Sequence, residues 1–234
     1  MKQELVRTGL DGSALVGMLA QLALTEPPTA APSFVEGMGR WLGWQEAIAL
    51  SAVLQQAAPG TAAALPASRA ASASEQANAE RLCQRLARVQ ADLTQAILAD
   101  RDTSREDGND FLPFRRGCLN LQQAMAAAVA PLREQLRATV APMSPAMARL
   151  AALDAAMAQA LAPREHALLA LLPVLLEKHF LRLRTAPLQA EQEPWLDTFR
   201  QDMHQLLLAE LSLRLQPSLG LLQALRGATQ GLHE

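Results

Sequence analysis

The chain has little aromatic surface and little cysteine. Among its 234 residues there is no tyrosine, aromatic residues make up 3%, and Cys83 and Cys118 are the only cysteines. Two cysteines with no C-x-x-C spacing exclude a disulfide scaffold and fit a reducing compartment. Valine, isoleucine and threonine are scarce, and no stretch alternates apolar with polar residues, which argues against β-sheet. Glycine is limited to 12 residues. Neither a Walker loop, nor a dinucleotide loop, nor a G-x-S-x-G nucleophile elbow occurs. No apolar run approaches the ~18 residues of a membrane span. The longest, Ala167 to Leu176, has ten residues and contains Pro173. Lys2 and Arg7 precede an apolar stretch from Ala14 to Leu24, but Glu4 and Asp11 sit where a signal peptide tolerates acid poorly. That stretch therefore reads as a short helix of a cytoplasmic protein, with no direct membrane insertion. A net charge of −2 leaves no global basic field for nucleic acid.

What the chain does have is aliphatic material. Half of its residues are hydrophobic and 19% are charged, which supports a sizeable core and excludes general disorder. Alanine and leucine dominate, as helices prefer. The pattern predicts an all-α fold, a helical bundle of long, partly Pro-kinked helices with a small N-terminal helical unit on a flexible linker. The units are residues 1–57, the Ala/Ser/Pro-rich linker 58–75, and the main bundle 76–234.

In the N-terminal unit, one helix is expected from Ser13 to Leu24. A second, from Phe34 to Ala57, follows a Ser33/Glu36 capping box. In the bundle, Leu82, Leu86, Val89, Leu93 and Ile97 follow heptad-like spacing. A second stripe runs from Phe114 through Cys118, Leu121, Met125, Val129, Leu132 and Leu136 to Val140, with a kink expected at Pro131. Together these two stretches predict an antiparallel hairpin. Ser144-Pro145 reads as an N-cap followed by proline at the first helical position. Pro163 is expected to open a further helix to Arg184, residues 185–193 to form a second linker, and Pro217 to stop the last helix. The long first linker also permits the N-terminal unit to pack on a neighbouring protomer, giving a homodimer.

Catalytic and metal chemistry leave no signature. His166, His179, His204 and His233 form no H-E-x-x-H or E-x-x-H pair, so no catalytic residue, metal ligand or cofactor is assigned. Asp100, Asp102 and Ser104 match the start of a calcium loop. However, Arg105 stands where its glycine must be and Phe111 where its bidentate glutamate must be. Trp41 and Trp44 lie three apart, on one helix face; they pack the small N-terminal core or offer a docking patch for a partner protein. Phe111-Leu-Pro-Phe114-Arg115-Arg116 pairs aromatics with arginines, a combination able to contact nucleic acid. Residues 133–184 carry seven basic side chains against four acidic. Arg133, Arg137, Arg149, Arg164, Lys178, Arg182 and Arg184 are thus candidate phosphate contacts.

Several segments are distinctive as a set: Arg7-Thr-Gly-Leu-Asp-Gly-Ser-Ala-Leu, Trp41-Leu-Gly-Trp44, Leu121-Gln-Gln-Ala-Met125, Leu176-Glu-Lys-His-Phe180, and Trp195-Leu-Asp-Thr-Phe-Arg-Gln-Asp-Met203. The chain resembles a bacterial family whose domain has no known function. Genes of that family lie beside those for MotA/MotB-like motor subunits and a companion helical protein, in clusters grouped with the third type of Zorya anti-phage system. The resemblance implies a cytosolic, non-enzymatic adaptor whose partners are those motor subunits or the companion protein. A nucleic-acid-binding accessory is the alternative reading.

Overall fold

In the computed structural model the described residues are 14–22, 43–55, 69–99, 110–185 and 195–230. Among them, seven α-helices and no strand are found. They are α1 (Ala14–Gln21), α2 (Trp44–Gln55), α3 (Arg69–Ala99), α4 (Leu112–Val140), α5 (Pro145–Leu169), α6 (Leu172–Thr185) and α7 (Trp195–Gln230).

The hairpin forms as its stripes predict. Leu82 and Leu86 of α3 pack with Leu132 and Leu136 of α4, while Leu93 and Ile97 pack with Phe114 and Cys118. Rising numbers on one helix meet falling numbers on the other, so the two are antiparallel. Helix α7 lies against both and completes a three-helix spine. Its Phe199, Met203, Leu206 and Leu207 are fully buried.

The buried side chains fall into two clusters. The larger gathers four of the five phenylalanines, Phe111, Phe114, Phe180 and Phe199. Phe114 and Phe199 meet edge-on at 5.2 Å, and Phe180 meets Trp195 at 5.2 Å in the same manner. Edge-to-face pairs of this kind add to the stability of area burial alone. The smaller cluster is aliphatic: Leu82, Leu86, Leu132, Leu136, Val140, Leu221, Leu222 and Leu225.

The expected positions of three helix boundaries need correction. The segment expected to be linker to residue 75 is helical from Arg69 onward. Arg69 to Glu75 holds alanine and serine with neither glycine nor proline, and alanine is the best helix former. Pro163 opens no helix and lies inside α5; Pro217 stops nothing and lies inside α7. A mid-helix proline frees the carbonyl four residues back. For Pro163 that is Gln159, whose residue is exposed, so the freed carbonyl is open to solvent. Helix α4 likewise runs on through Pro131, where Ala127 and Pro131 are both exposed.

The actual break falls at Ala170–Leu171, and Pro173 accounts for it. Pro173 cannot bond the carbonyl of Leu169, which is buried. Gln122 of α4 supplies the missing donor, its Nε2 reaching that oxygen at 3.1 Å. Ser144 caps α5 as expected, with extended backbone and its side chain accepting from the Met147 N–H at 3.2 Å.

The two helices nearest the N-terminus dock separately. Helix α1 packs on α7 and sends Leu15 into the larger core cluster. Helix α2 packs on α5.

Candidate functional site

The basic residues of 133–184 are mostly engaged within the molecule. Arg133 grips Asp154 in a fork, Nε to Oδ2 at 2.8 Å and Nη2 to Oδ1 at 2.6 Å. Arg137 pairs with Glu134 at 2.6 Å and reaches Asp154 at 3.5 Å. These contacts pin α4 to α5.

Two other arginines act on helix ends. Arg149 donates from Nη2 to the carbonyl of Leu54 at 3.2 Å, in the last turn of α2. Arg182 donates from Nη2 to the carbonyl of Leu22 at 2.8 Å, just past the end of α1. The last carbonyls of a helix have no partner inside it and carry partial negative charge, so a guanidinium there is doubly favourable. Each arginine thereby fastens one of the docked N-terminal helices.

Arg182 belongs to a longer chain of contacts. Its Nη2 also lies 2.8 Å from Nδ1 of His179, whose Nε2 lies 2.7 Å from Asp202 Oδ2. A guanidinium only donates. Nδ1 therefore accepts, and Nε2 carries the hydrogen given to Asp202. His179 is 2% exposed and sits among Phe180 and Phe199. The network joins α1, α6 and α7.

Arg115 and Arg116 are exposed on the outer side of α4, and Arg164, Lys178 and Arg184 are exposed as well. The aromatics beside Arg115 are not available for stacking on a ligand. Phe111 and Phe114 are buried against each other and against Phe199.

A second buried polar cluster escaped the sequence reading. Glu210 of α7 is 0% exposed. Arg214 contacts its Oε1 through Nε at 2.8 Å and Nη2 at 2.7 Å, and Gln122 donates to its Oε2 at 2.9 Å. The available signal was a polar residue inside an apolar stripe, since Gln122 lies between Cys118 and Met125. Among the described residues, no group of three or more His, Cys, Asp or Glu side chains is placed to hold a metal ion.

Trp44 does not build a core. It is 82% exposed, with Ile48 at 54% and Leu54 at 57% on the same short helix. Not one residue whose burial is described on α2 is buried. Val53 and Leu54 face Leu150 and Leu153 of α5 across a shallow groove of about 250 Å³. Trp41 lies outside the described residues, as do residues 186–193 of the second linker and 101–109 of the acidic loop, while Thr185 ends α6.

The sequence matches, over residues 1–227, the family described as protein of unknown function (DUF3348). The chain belongs to the DUF3348 family. No curated protein and no solved structure matches it. Family membership assigns no reaction, so in this DUF3348 chain the functional reading rests on the exposed face of α2 and on what the arginines hold. Among its described residues no helix is long and apolar enough to cross a membrane.

Proposed function

We propose that this protein is a non-enzymatic cytosolic adaptor that binds helices of partner proteins, acting as an accessory component of a motor-linked anti-phage system of the Zorya kind. The observation that carries the protein-binding part is the outward apolar face of α2, where Trp44 and Ile48, one turn apart, stand 82% and 54% exposed on a helix of 12 residues. Tryptophan is on average a highly buried residue, and contiguous exposed apolar surface rimmed by polar residues marks interaction sites. The identity of the partners, MotA/MotB-like motor subunits or the companion helical protein, comes from the family resemblance.

Internal engagement of the arginines favours this reading over the nucleic-acid one. Of the seven basic residues considered as phosphate contacts, Arg133, Arg137, Arg149 and Arg182 already hold carboxylates or carbonyls. Coexpression of the intact chain with the motor subunits and the companion protein tests the proposal. Wild type is expected to co-purify with at least one of them, and a Trp44→Ala, Ile48→Ala double variant to lose it while keeping its helical signal. Retention of DNA at low salt with a steep fall toward physiological salt, and no protein captured, would replace this reading with the alternative.

A further inference from the structure

A cleft of about 310 Å³ opens between α4, α5 and α7 on the side of the molecule where Pro217 interrupts the hydrogen bonding of α7. Three guanidinium groups line it: Arg133, Arg164 and Arg214. Two of them are held still. Arg133 is forked onto Asp154, and Arg214 is locked onto the fully buried Glu210. A guanidinium has five N–H donors. Arg214 gives Nε and Nη2 to Glu210, and among the described residues its Nη1 donors meet no acceptor. Arg164 has no carboxylate partner among the described residues. Leu161, Leu168 and Leu213 supply apolar lining beside them.

Burying Glu210 costs free energy that an apolar pair in its place would not, and buried ion pairs give weak net stability. Its effect on the cleft is specific, because it fixes the direction of the Arg214 fork. Fixed donors beside an apolar wall are the make-up of a ligand site, and the volume sits at the small end of the range for such sites. Glu165 is the one carboxylate among the residues lining the cleft.

We propose that the cleft binds a small anionic amphiphile, a carboxylate or phosphate monoester on a short apolar chain, with the head on Arg164 and Arg214 and the tail along Leu161, Leu168 and Leu213. The probes are decanoate, decyl phosphate and decanol, each titrated calorimetrically into the intact chain below its micellar concentration. One saturable site is expected for at least one of the two anions, and the tighter of them identifies the head group. Decanol is expected to bind about tenfold more weakly or worse, as loss of a charge-assisted hydrogen bond implies.

Arg164 and Glu165 are exposed, so their variants are expected to fold. Arg164→Gln is expected to weaken the anion about tenfold and Glu165→Gln to strengthen it. Decanol binding as tightly as the anions, an unchanged affinity in Arg164→Gln, or no saturable site for either anion would overturn the proposal.

Discussion

The three-helix spine of α3, α4 and α7 and the outer layer of α2 and α5 are made of the same residues and end in opposite states. Both are rich in alanine and leucine. In the spine, Leu132, Leu136, Met203, Leu206 and Leu207 are fully buried. In the layer, α5 buries only Ala151 and Leu169 over 25 residues, and no α2 residue whose burial is described is buried. Helix propensity therefore made both regions helical, while the width of the apolar face decided which became core. The stripes of α3 and α4 are answered by each other and by α7. The stripe of α5, Met147, Leu150, Leu153, Met157 and Leu161, is answered along part of its length by a helix of 12 residues and is left half-buried.

The sharpest way to break this comparison is to cut one side chain from each region. Phe114→Ala removes a ring that touches Phe111, Phe180 and Phe199. A loss of about 3–5 kcal/mol is expected in denaturant unfolding. Leu50→Ala on α2 is expected to lose less than about 1 kcal/mol, since its site is only half-buried and open to solvent. Equal losses would mean that the layer is as much core as the spine.

A smaller effect separates the two ways in which the N-terminal helices are fastened. Arg182→Leu abolishes the bonds to the Leu22 carbonyl and to His179, at a cost of about 1–2 kcal/mol. Its signature is local, a loss of amide-exchange protection confined to residues 14–22. The smallest change is expected from Arg149→Gln, within about 0.5 kcal/mol, because that contact is exposed. Faster exchange over residues 43–55 with an unchanged unfolding midpoint would show α2 loosened and the spine intact.

Periodicity made most of the spine legible. The stripe from Leu82 to Ile97 and the one from Phe114 to Val140 name residues that the structure buries, with Val89 and Leu121 half-buried, because apolar spacing decides which face of a long helix turns inward. Prolines were the poorer guide. Pro163 and Pro217 were expected to begin and end helices, yet both lie within them. A local rule registers the lost hydrogen bond and cannot register the packing on either side that outweighs it. The break at Ala170 depends on Gln122, which lies 47 residues before the carbonyl it caps. No window of sequence holds both.

The candidate surfaces were legible as residue types and not as roles. Trp44 was singled out correctly as unusual, with a core role and a docking role both open. The arginines were read as a charge count. Asp154 and the carbonyls of Leu22 and Leu54, which engage four of them, are brought near only by the fold.

The grip of Arg149 on α2 has a consequence for how this protein can vary. The guanidinium holds a backbone oxygen, and every residue has one. The Leu54 side chain stands exposed, so many side chains would serve at that position while the fastening persists. A change at 54 therefore demands no matching change at 149. Correlated substitution, which betrays contacts between side chains, would be silent about this one. The helix is moored by an oxygen that point mutation cannot remove, and the mooring is recorded in the sequence at Arg149 only.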